Sequence, residues 1–273
     1  DRFEPMPGRL KAVLAVSGAC VAAEPERNQR LLLLYQQPDG HPPATHEYLA
    51  GVRVLHELLR SQERLDVRVV AADEPWSDGP EMLDGTDGAV LFLSQGAKWL
   101  SADPARFEAF RRLAERRGGL ACLHWAMGTK DAEPIDNFTE LFGGCHGGPD
   151  RKYQVLRTDW RPAERGHPVS RGIGPTEVRD EFYYALKWPR DASPPAAVMV
   201  ADIDESAQTV AWAWERPNGG RSFGFSGLHF HSNWDQAAYR RLVLQGVAWT
   251  MQRSIPEQGL NVDVPAATLR LER

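Results

Sequence analysis

Cysteine, long apolar runs and excess positive charge are all scarce in this sequence of 273 residues. Three cysteines and no Cys-x-x-Cys pair exclude a disulfide scaffold, and they give no sign of a zinc ribbon. No apolar stretch reaches the roughly 18 residues that a membrane span needs. Thirty-two basic against 37 acidic side chains give a net charge of −5, which argues against a nucleic-acid-binding protein.

The composition is otherwise that of a globular protein, with 42% hydrophobic and 25% charged residues. We predict an N-terminal arm at 1–29, a single α/β domain at 30–262 and a C-terminal tail at 263–273. Within the arm, 6–23 has the basic start, apolar run and small residues of a secretory signal. It also fits an ordinary strand at 10–16, so both a periplasmic or secreted and a cytoplasmic location stay open.

Alternating apolar runs and amphipathic stretches predict an α/β fold with a mainly parallel sheet. Strands are predicted at 31–35, 67–71, 89–93, 120–124, 153–157, 197–201, 210–214 and 222–225. Helices are predicted at 47–60, 104–117 and 235–252, and 128–150 reads as loop with one helical turn near 138–142. The later strands are expected to extend the sheet.

Histidines follow several of these strands. Ligands of open parallel sheets bind outside the carboxyl ends of the strands, so we expect six of the eight histidines at one edge. They are His41, His46, His124, His146, His229 and His231. In an extended segment His229 and His231 would point to one side and share one metal ion. A metal-free pocket lined by histidines is the alternative.

Carboxylates, aromatic rings and arginines supply further candidates. Asp180 and Glu181 precede Tyr183, a combination suited to general acid–base chemistry, although a solvated strand edge would have the same pattern. Aromatic faces such as Trp212 and Trp234 stack on sugar rings, and equally well fill cores. Arg221 follows a turn, where it either clamps a substrate oxygen or is solvated.

Cys122 lies in the middle of a predicted strand, whereas the catalytic cysteine of an amidotransferase occupies the sharp turn after a strand. Here His124 or Trp125 takes that position. We therefore predict that Cys122 is a buried small residue and not a nucleophile.

Several segments together resemble the ThuA-like (trehalose utilisation) family, in the form common in planctomycete-type bacteria. The segments are 40–48, 120–126, 142–144, 167–172, 180–183, 211–225 and 227–234. The resemblance implies a flavodoxin-like, class I glutamine amidotransferase-like fold: an open parallel sheet with helices on both faces, here with an extra β extension. It also implies loss of the amidotransferase cysteine and a role in carbohydrate metabolism, including breakdown of 3-keto-glycosides.

The leading hypothesis is a metal-dependent enzyme that cleaves a 3-keto-glycoside by hydrolysis or elimination. His46, His124 and His229 would hold a divalent transition metal, zinc first, with manganese or nickel as alternatives. Glu181, His41, Tyr183 and His231 are the predicted catalytic groups, with His231 also a candidate fourth ligand. The predicted substrate-binding residues are Asp180, Trp125, Trp212, Arg221, Trp234 and His146.

Two other functions remain open: a non-catalytic sugar-binding or assembly module, and a thiol-dependent hydrolase using Cys122. The expected partner is a carbohydrate, with no nucleic acid and no membrane span. The many Trp and Tyr side chains would equally serve a homo-oligomer interface.

Overall fold

The computed structural model describes residues 27–271 of the chain. Its strands are β1 (Gln29–Tyr35), β2 (Leu65–Ala71), β3 (Gly88–Phe92), β4 (Gly119–Leu123), β5 (Gly128–Thr129), β6 (His146–Gly147), β7 (Lys152–Pro162), β8 (Thr176–Tyr184), β9 (Ala196–Ile203), β10 (Ser206–Glu215) and β11 (Arg221–Phe225). Its α-helices are α1 (Tyr48–Leu59), α2 (Gly79–Asp84), α3 (Gly96–Ala102), α4 (Pro104–Glu115), α5 (Pro134–Phe142) and α6 (Ala237–Thr250). The predicted signal-like segment at 6–23 lies outside the described residues.

Within the described residues, the main sheet has nine strands in the order β2-β1-β3-β4-β11-β10-β9-β7-β8. The strands from β2 to β11 are parallel to their neighbours, and those from β11 to β8 are antiparallel. The parallel half and the β extension were both predicted. The antiparallel share is larger than a mainly parallel sheet implies, because β8, which was not among the predicted strands, joins β7, β9 and β10 in the antiparallel half.

Helices cover both faces of the sheet because its central strands are apolar on both sides. Leu31 and Leu33 of β1 contact the core that includes α1 and α6, whereas Leu32 and Leu34 contact the core beneath α2, α3, α4 and α5. Strands β3 and β4 are buried throughout. This burial fixes the strand ends that carry the site.

Local signals explain α4. The side chain of Asp103 accepts a hydrogen bond from the backbone N–H of Ala105 at 2.9 Å, and Pro104 occupies the first turn, where its missing N–H costs nothing. The predicted start is confirmed, and the helix ends at Glu115, two residues before the predicted end.

The prediction of a single helical turn in 138–142 was wrong. Helix α5 has nine residues, starts at Pro134 and stops at Gly143, whose φ of +82° favours glycine. Its apolar residues Ile135, Phe138, Leu141 and Phe142 do recur at helical spacing, within a stretch that sequence analysis had interpreted as a loop. Helices α2 and α3 were not predicted because they have only six and seven residues. Strand β8, at 176–184, was also not among the predicted strands.

Among the residues described, no helix combines the length and apolar character needed to cross a membrane. Cys122 lies inside β4 and is fully buried, as predicted. Burial raises the pKa of its thiol well above the ordinary value, which disfavours the nucleophilic thiolate.

Gly96 permits close packing beneath the turn that follows β4. A Cβ atom there would overlap the backbone carbonyl of Ala126, which rigid backbone cannot readily avoid. We expect Gly96→Ala to lower the free energy of unfolding by about 1–3 kcal/mol in urea denaturation. A Cβ atom at Gly174 would meet no heavy atom within 4 Å, so Gly174→Ala should stay within about 0.5 kcal/mol of wild type. Equal stabilities of the two variants would contradict this packing argument.

Candidate metal centre

Three chain segments meet at the carboxyl ends of the parallel strands, and each brings one histidine. His46 comes from the segment after β1, His124 directly follows β4, and His229 lies beyond β11. The first and third segments are held together by backbone hydrogen bonds. The N–H of His46 donates to the carbonyl of His229 at 3.1 Å, and the N–H of His231 donates to the carbonyl of Ala44 at 2.9 Å.

Left-handed backbone conformations aim these histidines. His46 has a φ of +51°, His124 a φ of +49°, and Leu228, directly before His229, a φ of +78°. Each such conformation costs a non-glycine residue on the order of 1–3 kcal/mol and is typical of functional sites. His124 thus occupies the sharp turn after β4 that was predicted to carry it or Trp125.

The three imidazoles converge through one nitrogen each. His46 Nε2 lies 3.1 Å from both His124 Nε2 and His229 Nδ1, and His124 Nε2 lies 3.2 Å from His229 Nδ1. Three nitrogens bound tetrahedrally to one Zn²⁺ lie about 3.3 Å apart, since Zn–N is about 2.0–2.1 Å. Glu181 Oε2 is 3.0 Å from His229 Nδ1 and adds a carboxylate to the cluster.

The hydrogen-bond partners of the ring nitrogens that face away from the cluster show which nitrogen of each imidazole carries the proton. His124 Nδ1 lies 2.7 Å from the carbonyl oxygen of Ser226, which can only accept, so this nitrogen carries the proton. His46 Nδ1 lies 3.0 Å from Asp39 Oδ2, which fixes its proton in the same way. In their neutral forms both rings therefore present bare Nε2 lone pairs to each other, an arrangement that fits a shared cation.

Asp39 organises this side of the cluster, and sequence analysis missed it. Its Oδ2 also accepts a hydrogen bond from the Tyr48 hydroxyl at 2.6 Å, and its Oδ1 lies 2.7 Å from His41 Nδ1. Burial raises the pKa of Asp39, but hydrogen bonds with His46, Tyr48 and His41 outweigh it and hold the pKa below the ordinary value. An acidic residue two positions before His41 and seven before His46 was the available signal.

Aromatic rings form the opposite wall. The Tyr183 ring lies between those of His146 and His124, with centroids 3.9 and 4.5 Å away and nearly parallel planes. Its hydroxyl is 3.0 Å from His124 Nε2. The Trp125 ring lies 5.7 Å from His146 and 5.8 Å from Tyr183. His41 stacks on His46 at 3.6 Å from the other side, with 40% of its side chain exposed.

Burial sets the charge state of the cluster. It lowers the pKa of His124 well below the ordinary value, with the charges of His46 and His229 adding to the effect, and it lowers the pKa of His229 to about 4. The pKa of His46 is also lowered, mainly by burial. Neutral imidazole is the form that binds metals. Burial raises the pKa of Glu181, which makes its carboxylate a stronger base.

Asp180 was predicted to bind substrate, but it is fully buried on the other side of β8 from Glu181. It accepts hydrogen bonds from the backbone N–H groups of Leu228 and His229 at 2.6 and 3.1 Å, and from the Tyr239 hydroxyl at 3.1 Å. Burial raises its pKa to about 7. Asp180 therefore positions the His229 segment and has no access to a substrate.

Four other predicted residues lie away from the cluster. Phe230 is extended, but a 3₁₀ helix begins at His231, whose Nε2 lies 3.0 Å from the carbonyl oxygen of Leu269. Trp212 and Trp234 are core residues, 0% and 1% exposed. Arg221 starts β11, so it lies at the end of the strands opposite the histidine cluster, with its guanidinium over the Trp249 ring. None of these positions fits the predicted role.

Removing the charge of Asp39 should weaken metal binding. An outer carboxylate orients a histidine ligand and raises its basicity, and its loss typically costs 10–100-fold in affinity. We expect that range for Asp39→Asn in a zinc competition titration against a chromophoric chelator. Asp159→Asn, an exposed change on β7, serves as the control. Unchanged zinc affinity in Asp39→Asn would contradict the assigned role.

His146 should make the metal-free fold sensitive to acid. Burial lowers its pKa to about 3, against about 6.5 in an unfolded chain, so the unfolded state binds more protons between these values. This contribution to stability is present above pH 6.5 and is lost as the pH falls towards 3.

Replacing His146 by Phe keeps an aromatic ring but removes the titrating group. The slope of unfolding free energy against pH should then fall by up to about 1.4 kcal/mol per pH unit in this window. Urea denaturation of chelator-treated protein at several pH values measures it. Identical slopes for wild type and His146→Phe would refute the assignment.

The chain resembles proteins of known structure. The protein is similar to a putative ThuA-like protein from Bacteroides uniformis, with a TM-score of 0.63, 13% identity, and coverage of 86% of this chain and 96% of that one. The glutaminase domain of Trypanosoma brucei CTPS with bound acivicin gives a TM-score of 0.49 at 14% identity, covering 86% and 99%. A search of curated protein sequences gave no match.

The likeness to the Bacteroides structure shows that the two proteins share a fold, and the sheet with helices on both faces agrees with the predicted α/β class. The narrower resemblance to the planctomycete-type branch stays a prediction. The family model for ThuA, described as trehalose utilisation, matches residues 33–250. Because this match spans most of the chain, the protein belongs to the ThuA family.

Proposed function

We propose that the protein is a metal-dependent carbohydrate-active enzyme that cleaves the glycosidic bond of a 3-keto-glycoside by hydrolysis or elimination. The observation that supports a metal is the approach of the Nε2 atoms of His46 and His124 to 3.1 Å, while the outer nitrogen of each ring faces a hydrogen-bond acceptor. The family's link to trehalose utilisation supports the sugar.

His46, His124 and His229 would hold the ion, with zinc the first candidate and manganese or nickel the alternatives. Three nitrogen ligands with an open fourth position are typical of catalytic zinc sites. When bound, the ion polarises the substrate's keto oxygen and stabilises the negative charge that develops there.

Glu181 is the proposed base. A keto group acidifies the neighbouring C–H bond, and the Glu181 carboxylate takes this proton while the C–H electron pair forms the enolate. Collapse of the enolate then breaks the anomeric C–O bond, and the leaving oxygen takes up a proton. Burial raises the pKa of Glu181, bringing it closer to the operating pH of such a base. Subsequent addition of water distinguishes hydrolysis from elimination.

His41 and Tyr183 are the proposed proton donors or orienting groups. The Tyr183 hydroxyl points at the converging nitrogens, 3.0 Å from His124 Nε2. His41 stacks on His46 and reaches solvent, so it can exchange protons with water. Trp125, 7% exposed beside Tyr183, offers a ring edge against which a sugar can pack, whereas the buried His146 supports Tyr183 by stacking on it.

Glu181→Gln should lower turnover of a 3-keto-glucoside in the presence of zinc, manganese or nickel by about 10²–10⁴-fold, because the amide cannot accept the proton. Bound metal, measured by elemental analysis, should remain near the wild-type level. The matched control is Glu177→Gln, the same change on the same strand at a side chain 61% exposed.

Three outcomes would change the assignment. Full activity of Glu181→Gln would refute the base. Loss of metal together with activity would make Glu181 a ligand instead. Metal binding with saturable sugar binding but no turnover in wild type would favour the non-catalytic sugar-binding module.

A further inference from the structure

Two large apolar side chains on β7 are exposed to solvent. Tyr153 is 56% and Val155 47% exposed, and no other large hydrophobic residue within 27–271 is exposed to this extent. They are two residues apart, so both project from the same face of the strand. Their neighbours Lys152, Gln154 and Arg157 are exposed and polar.

The register of β7 against β8 relates this pair to the cluster. Tyr153 lies opposite Tyr183, and Val155 lies opposite Glu181. Directly opposed residues of antiparallel strands project to the same face of a sheet. The apolar pair therefore shares a face with the proposed base and with the tyrosine at the converging nitrogens, as an outward continuation of the candidate site.

A row of rings joins the surface to the cluster. The Tyr153 ring meets His146 edge-on with centroids 6.2 Å apart, and His146 stacks on Tyr183, which stacks on His124. A ligand that reaches the cluster beside Tyr183 and extends outwards along this row contacts Tyr153 next.

Charge limits the size of this surface. The next opposed pair on the same face of the ribbon is Arg157 and Arg179, and Arg157 forms an ion pair with Glu177 at 3.2 Å. The apolar part thus spans the two-residue step from Tyr153 to Val155, about 7 Å along a strand. That length accommodates one six-membered ring.

We propose that Tyr153 and Val155 bind the leaving group of the glycoside, and that this leaving group carries an apolar, aromatic ring. The inference rests on the proposed function, which places the sugar at the cluster. A second copy of the chain fits this surface less well, because a stable interface needs an apolar centre within more than about 1,000 Å². Here polar and charged side chains surround just two apolar ones.

The affinity of unreactive glucosides tests whether Tyr153 and Val155 bind an aromatic leaving group, without any turnover. Unoxidised phenyl and methyl glucosides, each as both anomers, lack the keto group that activates the C–H bond, so they are unreactive in the proposed mechanism. Isothermal titration calorimetry on the full metal-loaded chain gives their Kd values. We expect phenyl glucoside of one anomer to bind about tenfold more tightly than its methyl counterpart, the effect of one aromatic contact with its buried area.

The variants assign the preference to the surface. Tyr153→Ala should reduce it to about twofold or less, whereas Tyr153→Phe should retain it. Gln154→Ala, exposed on the opposite face of the same strand, is the matched control and should also retain it. Since Tyr153 is exposed, thermal melts should show the Tyr153→Ala variant folded.

The inference is overturned by equal binding of phenyl and methyl glucosides, by no measurable binding of the phenyl glucosides, or by equal losses in Tyr153→Ala and Gln154→Ala. A wild-type dimer in light scattering that Tyr153→Ala dissociates would identify a second copy as the occupant instead. Failure of the proposed function looks different: 3-keto-glycosides are not turned over, while the Tyr153-dependent preference remains.

Discussion

The Nε2 atoms of His46 and His124 lie 3.1 Å apart, and their outer partners leave both without a proton. The surrounding contacts hold them in this arrangement. Such lone pairs repel unless a cation lies between them or a hydrogen-bond donor faces them, as the Tyr183 hydroxyl faces His124 Nε2 at 3.0 Å. The protein commits the outer nitrogen of each ring to a pure acceptor, the Ser226 carbonyl for His124 and the Asp39 carboxylate for His46. Burial then disfavours relief by protonation, since it lowers both pKa values. A neutral, convergent donor set suits a divalent ion better than it suits a proton.

Holding this set takes strained backbone, which the buried sheet supports. His46, His124 and Leu228 all adopt left-handed conformations, each in a segment that leaves or closely follows a buried strand end. The cross-links between the first and third segments, and the grip of Asp180 on the N–H groups of Leu228 and His229, prevent these turns from relaxing. Strain at the cluster is thereby tied to packing in the two cores, as at Gly96, which packs against Ala126 in the turn that begins at His124.

Sequence analysis predicted the sheet and the strand ends at which the histidines cluster, because these follow from apolar periodicity and one topological rule. The rule that ligands bind beyond strand ends brought His46, His124 and His229 together without any coordinates. It failed at His231, whose Nε2 faces the Leu269 carbonyl, and at Arg221, which begins a strand and so lies at the opposite end of the strands. The sequence around Trp212 and Trp234 does not show whether a tryptophan lies in the core or at the surface. Asp39 and Tyr48 escaped notice because their contacts with His46 depend on loop geometry that carries no periodicity.

The two halves of the sheet contribute different chemistry. All three histidines follow strands of the parallel half, whereas Glu181, Tyr183 and Tyr153 belong to the antiparallel ribbon of β7 and β8. In the proposed reaction the parallel half holds the ion, and the ribbon supplies the base and the surface for the leaving group. Within residues 27–271, the ribbon pairs with the rest of the sheet through β9 at Trp160–Pro162, and its outer part forms no further ladder with the main sheet. In the proposed reaction, changes at its exposed positions would alter which glycoside binds and would leave the proposed metal ligands in place.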